Sequence, residues 1–217
     1  MLTNYDSTVF DNLNELDIAR KRFWDKGAEE YLLKLGEVVH RHGLTDVVGI
    51  TMAHRHFRVR DGEQLVKEVR DNSSVIKPLS NLNNDEVIPF TWKLSKNKNG
   101  NLLWHPLEFV KVNTLTEESI NNELTLRNSY DFLNEFSSTL IELGLEDIFG
   151  LCIVHREFQL SPNEMLVESL EEESRTLSFN ITPRQTLTHT VLIPTFWRFD
   201  KKGKALQAEA WKHCIGH

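Results

Sequence analysis

The chain has 217 residues, of which 40% are hydrophobic and 26% are charged, and its net charge is −7. These values are ordinary for a globular domain, and the negative charge disfavours nucleic acid and anionic membranes as partners, because both attract basic surfaces. The chain has no apolar run of membrane-spanning length and no secretory signal pattern, and its only cysteines are Cys152 and Cys214. We therefore predict a cytoplasmic protein, since free thiols suit a reducing compartment.

A helix and a long strand are predicted after residues 1–24, which we expect to form an N-terminal arm or helix. Apolar residues recur at helical spacing from Ala28 to Val39, and Gly43 stands where a helix ends in the left-handed conformation. The segment Val47–Phe57 begins as a continuous apolar run, which predicts a strand buried on both faces. Further strands are expected over Val75–Pro78, Glu86–Leu94 and Leu102–Val110.

The same order of elements recurs in the second half of the chain. Residues 144–167 match residues 43–66 without a gap, and ten of the 24 aligned positions are identical, among them Gly43/Gly144 and His54/His155. Random pairing would give about one or two identities. Later strands of the second half are expected over Thr176–Ile181, Thr188–Phe199 and Leu206–His213.

This repetition predicts an α+β fold that arose by tandem duplication of one unit, a helix followed by an antiparallel β-meander. The first copy would span residues 25–110 and the second copy residues 128–217, with residues 111–127 as the connector. Each copy has a single sheet, and the second face of that sheet needs cover. We therefore expect the two copies to pack with pseudo-twofold symmetry and to form one compact domain.

The buried strand of each copy is followed by polar residues that would share one sheet face. These are His54 and His56 in the first copy, and His155 and Glu157 in the second. If the central strands meet at the symmetry axis, three imidazoles and one carboxylate converge. That set is a competent site for one divalent transition metal, such as Zn²⁺, Fe²⁺, Mn²⁺ or Ni²⁺. On this arrangement the bulky residues of the same face, such as Ile50, look toward the sister copy.

A structural role for these histidines is the stronger alternative. His54 and His155 are identical in the two copies. Residues needed for folding must be kept in both copies, whereas a single site needs only one set. A histidine that caps the strand and bonds to a neighbouring turn explains the same pattern.

Two further pairs of residues are candidates for substrate binding. Arg55 and Arg156 either bind an anionic group or, as we prefer, form salt bridges across the hairpin, with Glu63 as the partner of Arg55. Trp92 and Trp197 either line a pocket or belong to the core, and the core is the commoner place for an aromatic residue on a strand.

Two functions are left open by the sequence. The first is a small-molecule- or metal-binding protein, either a binding protein or a small enzyme, with its site between the two copies. The second is a non-catalytic interaction or scaffold protein in which the repeated histidines are structural. Motifs typical of nucleotide binding, serine hydrolases and zinc proteases are absent, and neither the ligand nor the oligomeric state follows from the sequence.

Overall fold

The computed structural model describes residues 1–70, 73–82, 85–154, 160–202 and 205–216. Within these residues ten strands form one closed barrel, namely β1 (Val48–Met52), β2 (Glu63–Arg70), β3 (Ser73–Ser80), β4 (Val87–Lys96), β5 (Leu102–Lys111), β6 (Phe149–Ile153), β7 (Glu164–Glu171), β8 (Thr176–Pro183), β9 (Leu192–Lys202) and β10 (Ala205–Ile215). The same residues contain five α-helices, namely α1 (Ser7–Asp11), α2 (Leu16–Asp25), α3 (Leu32–Arg41), α4 (Glu117–Asn128) and α5 (Tyr130–Leu143). None of these helices has both the length and the apolar character that a membrane-spanning helix needs.

The barrel combines antiparallel and parallel strand pairs. Its strand order is β1, β6, β4, β5, β2, β3, β8, β7, β10, β9, and pairing of β9 with β1 closes the ring. Most neighbours are antiparallel, but β2 is parallel to β5 and β7 is parallel to β10. A closed barrel leaves no unpaired sheet edge, and alternate residues of each strand line its interior.

The predicted arrangement, an α+β fold in which duplicated helix-plus-meander units pack with pseudo-twofold symmetry, is wrong. Strands from the ranges 25–110 and 128–217 pair directly, β1 with β6 and β3 with β8, so they belong to one sheet and do not form two facing sheets. The parallel pairs also exclude a simple meander, in which consecutive strands are antiparallel neighbours. Hydrophobic periodicity reports which residues of a strand are buried, but it does not report which distant strand lies alongside.

Several individual elements lie where the sequence predicts them. The strands expected over residues 75–78 and 102–110 fall inside β3 and β5. Gly43 and Gly144 adopt φ angles of 69° and 63° just after α3 and α5, where a residue with a side chain would be strained. Residues 1–24 contain α1 and most of α2, and residues 111–127 contain most of α4.

The central strand of the first half is shorter than predicted. β1 ends at Met52 instead of continuing to Phe57. The backbone amide of Ala53 still donates to the carbonyl of Ile148, but the chain then leaves the barrel wall. Residues 54–57 therefore do not follow the alternation of a strand, and their side chains are placed by other contacts.

β1 does not turn its bulky face toward a sister copy, although we expected this from the sequence. Its small residues line the barrel interior, because Gly49 abuts the Phe196 ring and Thr51 borders an internal cavity. The bulky face is covered by helices, as the Phe149 ring of neighbouring β6 lies 5.9 Å from the Phe23 ring of α2. Large aromatic residues such as Phe23, Phe149 and Trp197 are thus buried between α2 and the barrel wall.

Candidate metal centre

Four side chains with metal-binding atoms meet inside the barrel, and we call them the donor cluster: His54, His56, Glu168 and Cys214. One donor atom from each residue can be chosen so that all four atoms lie within 4.8 Å of one another. Two histidine nitrogens, one carboxylate oxygen and one sulfur are ligand types typical of Zn²⁺. The arrangement therefore has the composition and the closeness of a four-ligand metal site.

Two of these residues are brought together by the pairing of β7 with β10. The two strands are parallel, and Cys214 lies directly opposite Glu168 in their register. Lys212 precedes Cys214 by two residues and therefore faces the same side of β10. This register places a thiol, a carboxylate and an ammonium group on one patch of the inner wall.

The two histidines reach this patch because the chain has left β1. Between them, Arg55 is held by the segment that joins α1 to α2. Its amide donates to the carbonyl of Asn14 at 2.9 Å, and its guanidinium donates to the carbonyl of Leu13 at 2.9 Å. With Arg55 fixed in this way, the His54 and His56 rings approach each other, and their centroids are 4.8 Å apart.

The ring of His54 is oriented for metal binding. Its Nδ1 lies 2.9 Å from the carbonyl oxygen of Met52, which can only accept, so Nδ1 carries the proton and Nε2 offers a lone pair. Burial, together with the neighbouring His56 ring, lowers the pKa of His54 to about 3, which keeps the imidazole neutral. A histidine that donates its second nitrogen to a backbone carbonyl is the usual form of a metal ligand.

Three of the four donor atoms are spaced like ligands of one ion, whereas the Glu168 carboxylate contacts His56 Nε2 more closely, as a hydrogen-bonded pair does. His54 Nε2 lies 3.1 Å from His56 Nε2, and Cys214 Sγ lies 3.7 Å and 3.8 Å from these two nitrogens. Tetrahedral Zn²⁺ bonds of about 2.0–2.1 Å to nitrogen and about 2.3 Å to sulfur place ligand atoms about 3.3–3.6 Å apart. The three atoms are thus spaced for a shared ion.

Glu168 is held as a carboxylate by its surroundings. Its Oε1 contacts His56 Nε2, its Oε2 lies 3.2 Å from the Lys212 ammonium, and its side chain is only 2% exposed. Burial alone would raise the pKa of Glu168, but the Lys212 ammonium and then His56 outweigh burial and hold the pKa well below its usual range. In turn, Glu168 and Glu108 overcome the effect of burial on Lys212 and raise the pKa of that ammonium.

Cys214 is a buried thiol with one hydroxyl neighbour. Its Sγ lies 3.6 Å from Thr195 Oγ1. Burial, followed by the charge of Glu168, raises the pKa of the Cys214 thiol well above its usual value. A bound cation would displace that proton, and the Thr195 hydroxyl could then donate to the thiolate.

A small cavity adjoins the cluster, and we call it the histidine cavity. Its volume is about 20 Å³, and His54, His56, Glu168 and Lys212 are among its lining residues. A volume of about 10–15 Å³ is enough for one water molecule, so this space suits a single ion or water. Glu108 also borders it, and burial raises the pKa of that carboxyl.

The structure thus brings together two of the four predicted metal ligands, His54 and His56. The other two, His155 and Glu157, lie outside the described residues, as does Arg156. Glu168 and Cys214 were not predicted as ligands, because their meeting depends on the parallel β7–β10 register. The only local signal is Glu168 itself, a charge that directly follows the apolar run Met165–Val167.

The other predicted site residues do not belong to the donor cluster. Arg55 borders the histidine cavity. The prediction that it forms a salt bridge with Glu63 is wrong, because its guanidinium pairs with Glu15, at 2.9 Å from Oε1. Trp197 stacks on Phe23 of α2 at 5.5 Å between ring centroids. Trp92 is also buried, with 2% exposure. Both tryptophans belong to the core, and neither is among the residues found to line the cavities of the described part of the barrel.

Comparison of the chain with protein-family models, with curated proteins and with solved structures finds no match.

Proposed function

We propose that this protein binds one divalent transition metal, with Zn²⁺ as the ion that its donor cluster matches best. The observation that carries the proposal is the convergence of four donor atoms of three chemical types within 4.8 Å. A thiolate with two imidazoles favours zinc over Mg²⁺ or Ca²⁺, which prefer all-oxygen sites. The proposed cytoplasmic location agrees with both cysteines being free thiols.

The contacts around the cluster support the same proposal. Metal ligands are usually held by a second layer of hydrogen bonds, and here Met52 orients His54, Lys212 orients Glu168 and Thr195 lies beside Cys214. These contacts fix the donor atoms before a metal arrives, which reduces the cost of ordering the site.

Four protein ligands around a tetrahedral ion leave no open position, so the metal's proposed role is structural. The ion would join the segment after β1 to β7 and β10, which lie in another part of the barrel wall. It would thereby fix residues 54–57 across the barrel interior. Binding energy of this kind appears as added stability of the folded state.

The test is the metal content of untagged protein, measured by inductively coupled plasma mass spectrometry. We expect about one equivalent of zinc in the wild type and in the matched controls Cys152→Ser and His189→Ala, and less than about a tenth of an equivalent in Cys214→Ser and His54→Ala. Zinc should also raise the unfolding temperature of the wild type but not of Cys214→Ser.

The alternative function is an interaction or scaffold protein in which the cluster is a hydrogen-bonded network without metal. It is favoured by the chain of contacts from His56 through Glu168 to Lys212, because these contacts give the buried side chains their partners without a metal. Metal-free wild type that gains no stability from added zinc, with large destabilisation in His54→Ala, would support this alternative and contradict the metal proposal.

A further inference from the structure

A second cavity lies inside the barrel, and we call it the aromatic cavity. Its volume is about 40 Å³, and its aromatic wall consists of Phe90, Phe179, Phe196 and Trp211. Three aliphatic residues, one cysteine and two lysines complete the lining. Lys212 borders both this cavity and the histidine cavity, so the two spaces are separated by little more than one side chain. None of the four donor-cluster residues lines the aromatic cavity.

Two ammonium groups face this apolar space. The Lys67 side chain belongs to β2 and lines the cavity, although the residue is only 7% exposed. Its Nζ lies 5.4 Å from the ring centroids of both Phe90 and Phe179, and Lys212 Nζ lies 5.0 Å from the centroid of Phe179. The rings thus hold two cations at the border of one cavity through cation–π contacts.

We infer that the aromatic cavity binds a short-chain monocarboxylic acid, with its carboxylate between Lys67 and Lys212 and its apolar chain against the aromatic wall. Two ammonium groups supply donors for the two carboxylate oxygens. Charge-assisted hydrogen bonds of this kind are strong where water is excluded. The apolar chain gains from leaving water, as in most small-molecule sites.

The size and the charge of the cavity disfavour other ligands. A volume of about 40 Å³ is too small for the ring systems of nucleotides and sugars. A phosphate dianion has no apolar part that could pack against the aromatic wall. A metal cation would find no carboxylate or imidazole ligand among the lining residues, and a neutral hydrocarbon would make no use of the two lysines.

The experiment is a calorimetric titration with sodium butyrate and with butyramide, which has the same shape but no charge. Both are titrated into the 217-residue chain stripped of metal with a chelator, so the result does not depend on metal binding by the donor cluster. We expect butyrate to bind at least tenfold more tightly than butyramide. Equal binding of the two compounds, or no binding of butyrate at millimolar concentration, would overturn the inference.

Variants of Lys67 test the assigned residue. Lys67→Met should weaken butyrate binding about tenfold or more and leave butyramide binding unchanged, whereas Lys67→Arg should keep the preference for the anion. Lys77→Met is the matched control, because Lys77 lies on the partner strand β3 and contacts Glu68 instead of the cavity. Butyrate binding by folded Lys67→Met equal to that of the wild type would contradict the assignment. If Lys67→Met does not fold, the butyrate–butyramide comparison on the wild type decides.

Discussion

The two cavities inside the barrel share Lys212 but are built in different ways. The aromatic cavity is lined only by residues that lie within strands, although Phe90 and Trp211 stand at irregularities of the β4–β5 and β9–β10 pairing. The histidine cavity takes His54 and His56 from a segment that has left β1. Residues of the strands are thus sufficient for the apolar lining, whereas convergence of the donor atoms also needs a segment outside the strands that is held by other contacts.

The two cysteines show the same contrast on a smaller scale. Cys214 lies within 3.8 Å of two histidine nitrogens and belongs to the donor cluster. Cys152 lies on β6 and borders the aromatic cavity. Two residues of identical chemistry therefore have different expected roles, and Cys152 is the natural control for Cys214.

The largest expected effect comes from removing the buried carboxylate beside Lys212. Glu168→Ala leaves the Lys212 ammonium without its partner at 3.2 Å, and loss of one member of a buried pair costs about 3–5 kcal/mol. We expect this loss in the free energy of unfolding of metal-free protein, measured in urea. Glu171→Ala, at the exposed end of the same strand, should change it by less than about 0.5 kcal/mol. A similarly small loss in Glu168→Ala would mean that the cluster is solvated.

A smaller effect is expected at two glycines of the paired strands β1 and β6. A Cβ on Gly49 would lie 2.5 Å from the Trp197 carbonyl oxygen, and a Cβ on Gly150 would lie 2.3 Å from that of Trp92. Each substitution to alanine should cost about 1–3 kcal/mol of unfolding free energy. Only Gly49 also abuts Phe196, so Gly49→Ala should additionally weaken butyrate binding. Equal butyrate affinity in the two variants would show that Phe196 does not shape the aromatic cavity.

The pH dependence of stability should report an ion pair whose members line neither cavity. The Arg175 guanidinium donates two hydrogen bonds to Glu63, at 2.6 Å and 2.7 Å, and they lower the pKa of Glu63 from 4.5 to about 2. Because the folded-state pKa is lowered, the pair stabilises the protein above pH 4.5, and this contribution disappears as the pH falls toward about 2.

Glu63→Gln should therefore lower the unfolding free energy by about 1–2 kcal/mol at pH 7 and flatten its decline in acid. Urea titrations between pH 7 and pH 2 measure both effects. The zinc content at pH 7 should stay at the wild-type level, since neither Glu63 nor Arg175 touches the donor cluster. An acid branch identical to that of the wild type would show that the pair contributes nothing.

The smallest expected effect concerns how the two histidines are positioned. Arg55→Ala removes the guanidinium contact to Leu13 but no metal ligand, so zinc should bind about tenfold more weakly. Competition with a coloured chelator measures the affinity. Glu15→Ala is the control, because Glu15 is 61% exposed and its ion pair with Arg55 is worth little. Unchanged affinity in Arg55→Ala would mean that the segment is held by its backbone alone.

The sequence predicts local features of this protein better than distant ones. Helix ends at Gly43 and Gly144 follow from glycine's access to positive φ, and the buried strands follow from apolar runs. His54 and His56 are predicted as candidates because two such residues stand beside a buried strand. The fold class is mispredicted because strand pairing depends on contacts between residues far apart in the chain.

The failure to predict the other two residues of the donor cluster has the same cause. Cys214 and Glu168 meet only through the register of two parallel strands, and no short motif encodes that register. The mistaken assignment of the β1 faces has a different cause. Gly49 and Thr51 suit close contact with a helix as well as a narrow barrel interior, and residue size alone does not distinguish these two environments.

The most direct test of the account is X-ray absorption spectroscopy at the zinc edge of the metal-loaded protein. The donor cluster predicts one Zn–S distance of about 2.3 Å and three Zn–N or Zn–O distances of about 2.0–2.1 Å, with the sulfur signal lost in Cys214→Ser and kept in Cys152→Ser. A spectrum with oxygen and nitrogen neighbours alone, or with six ligands in the wild type, would contradict the proposed centre.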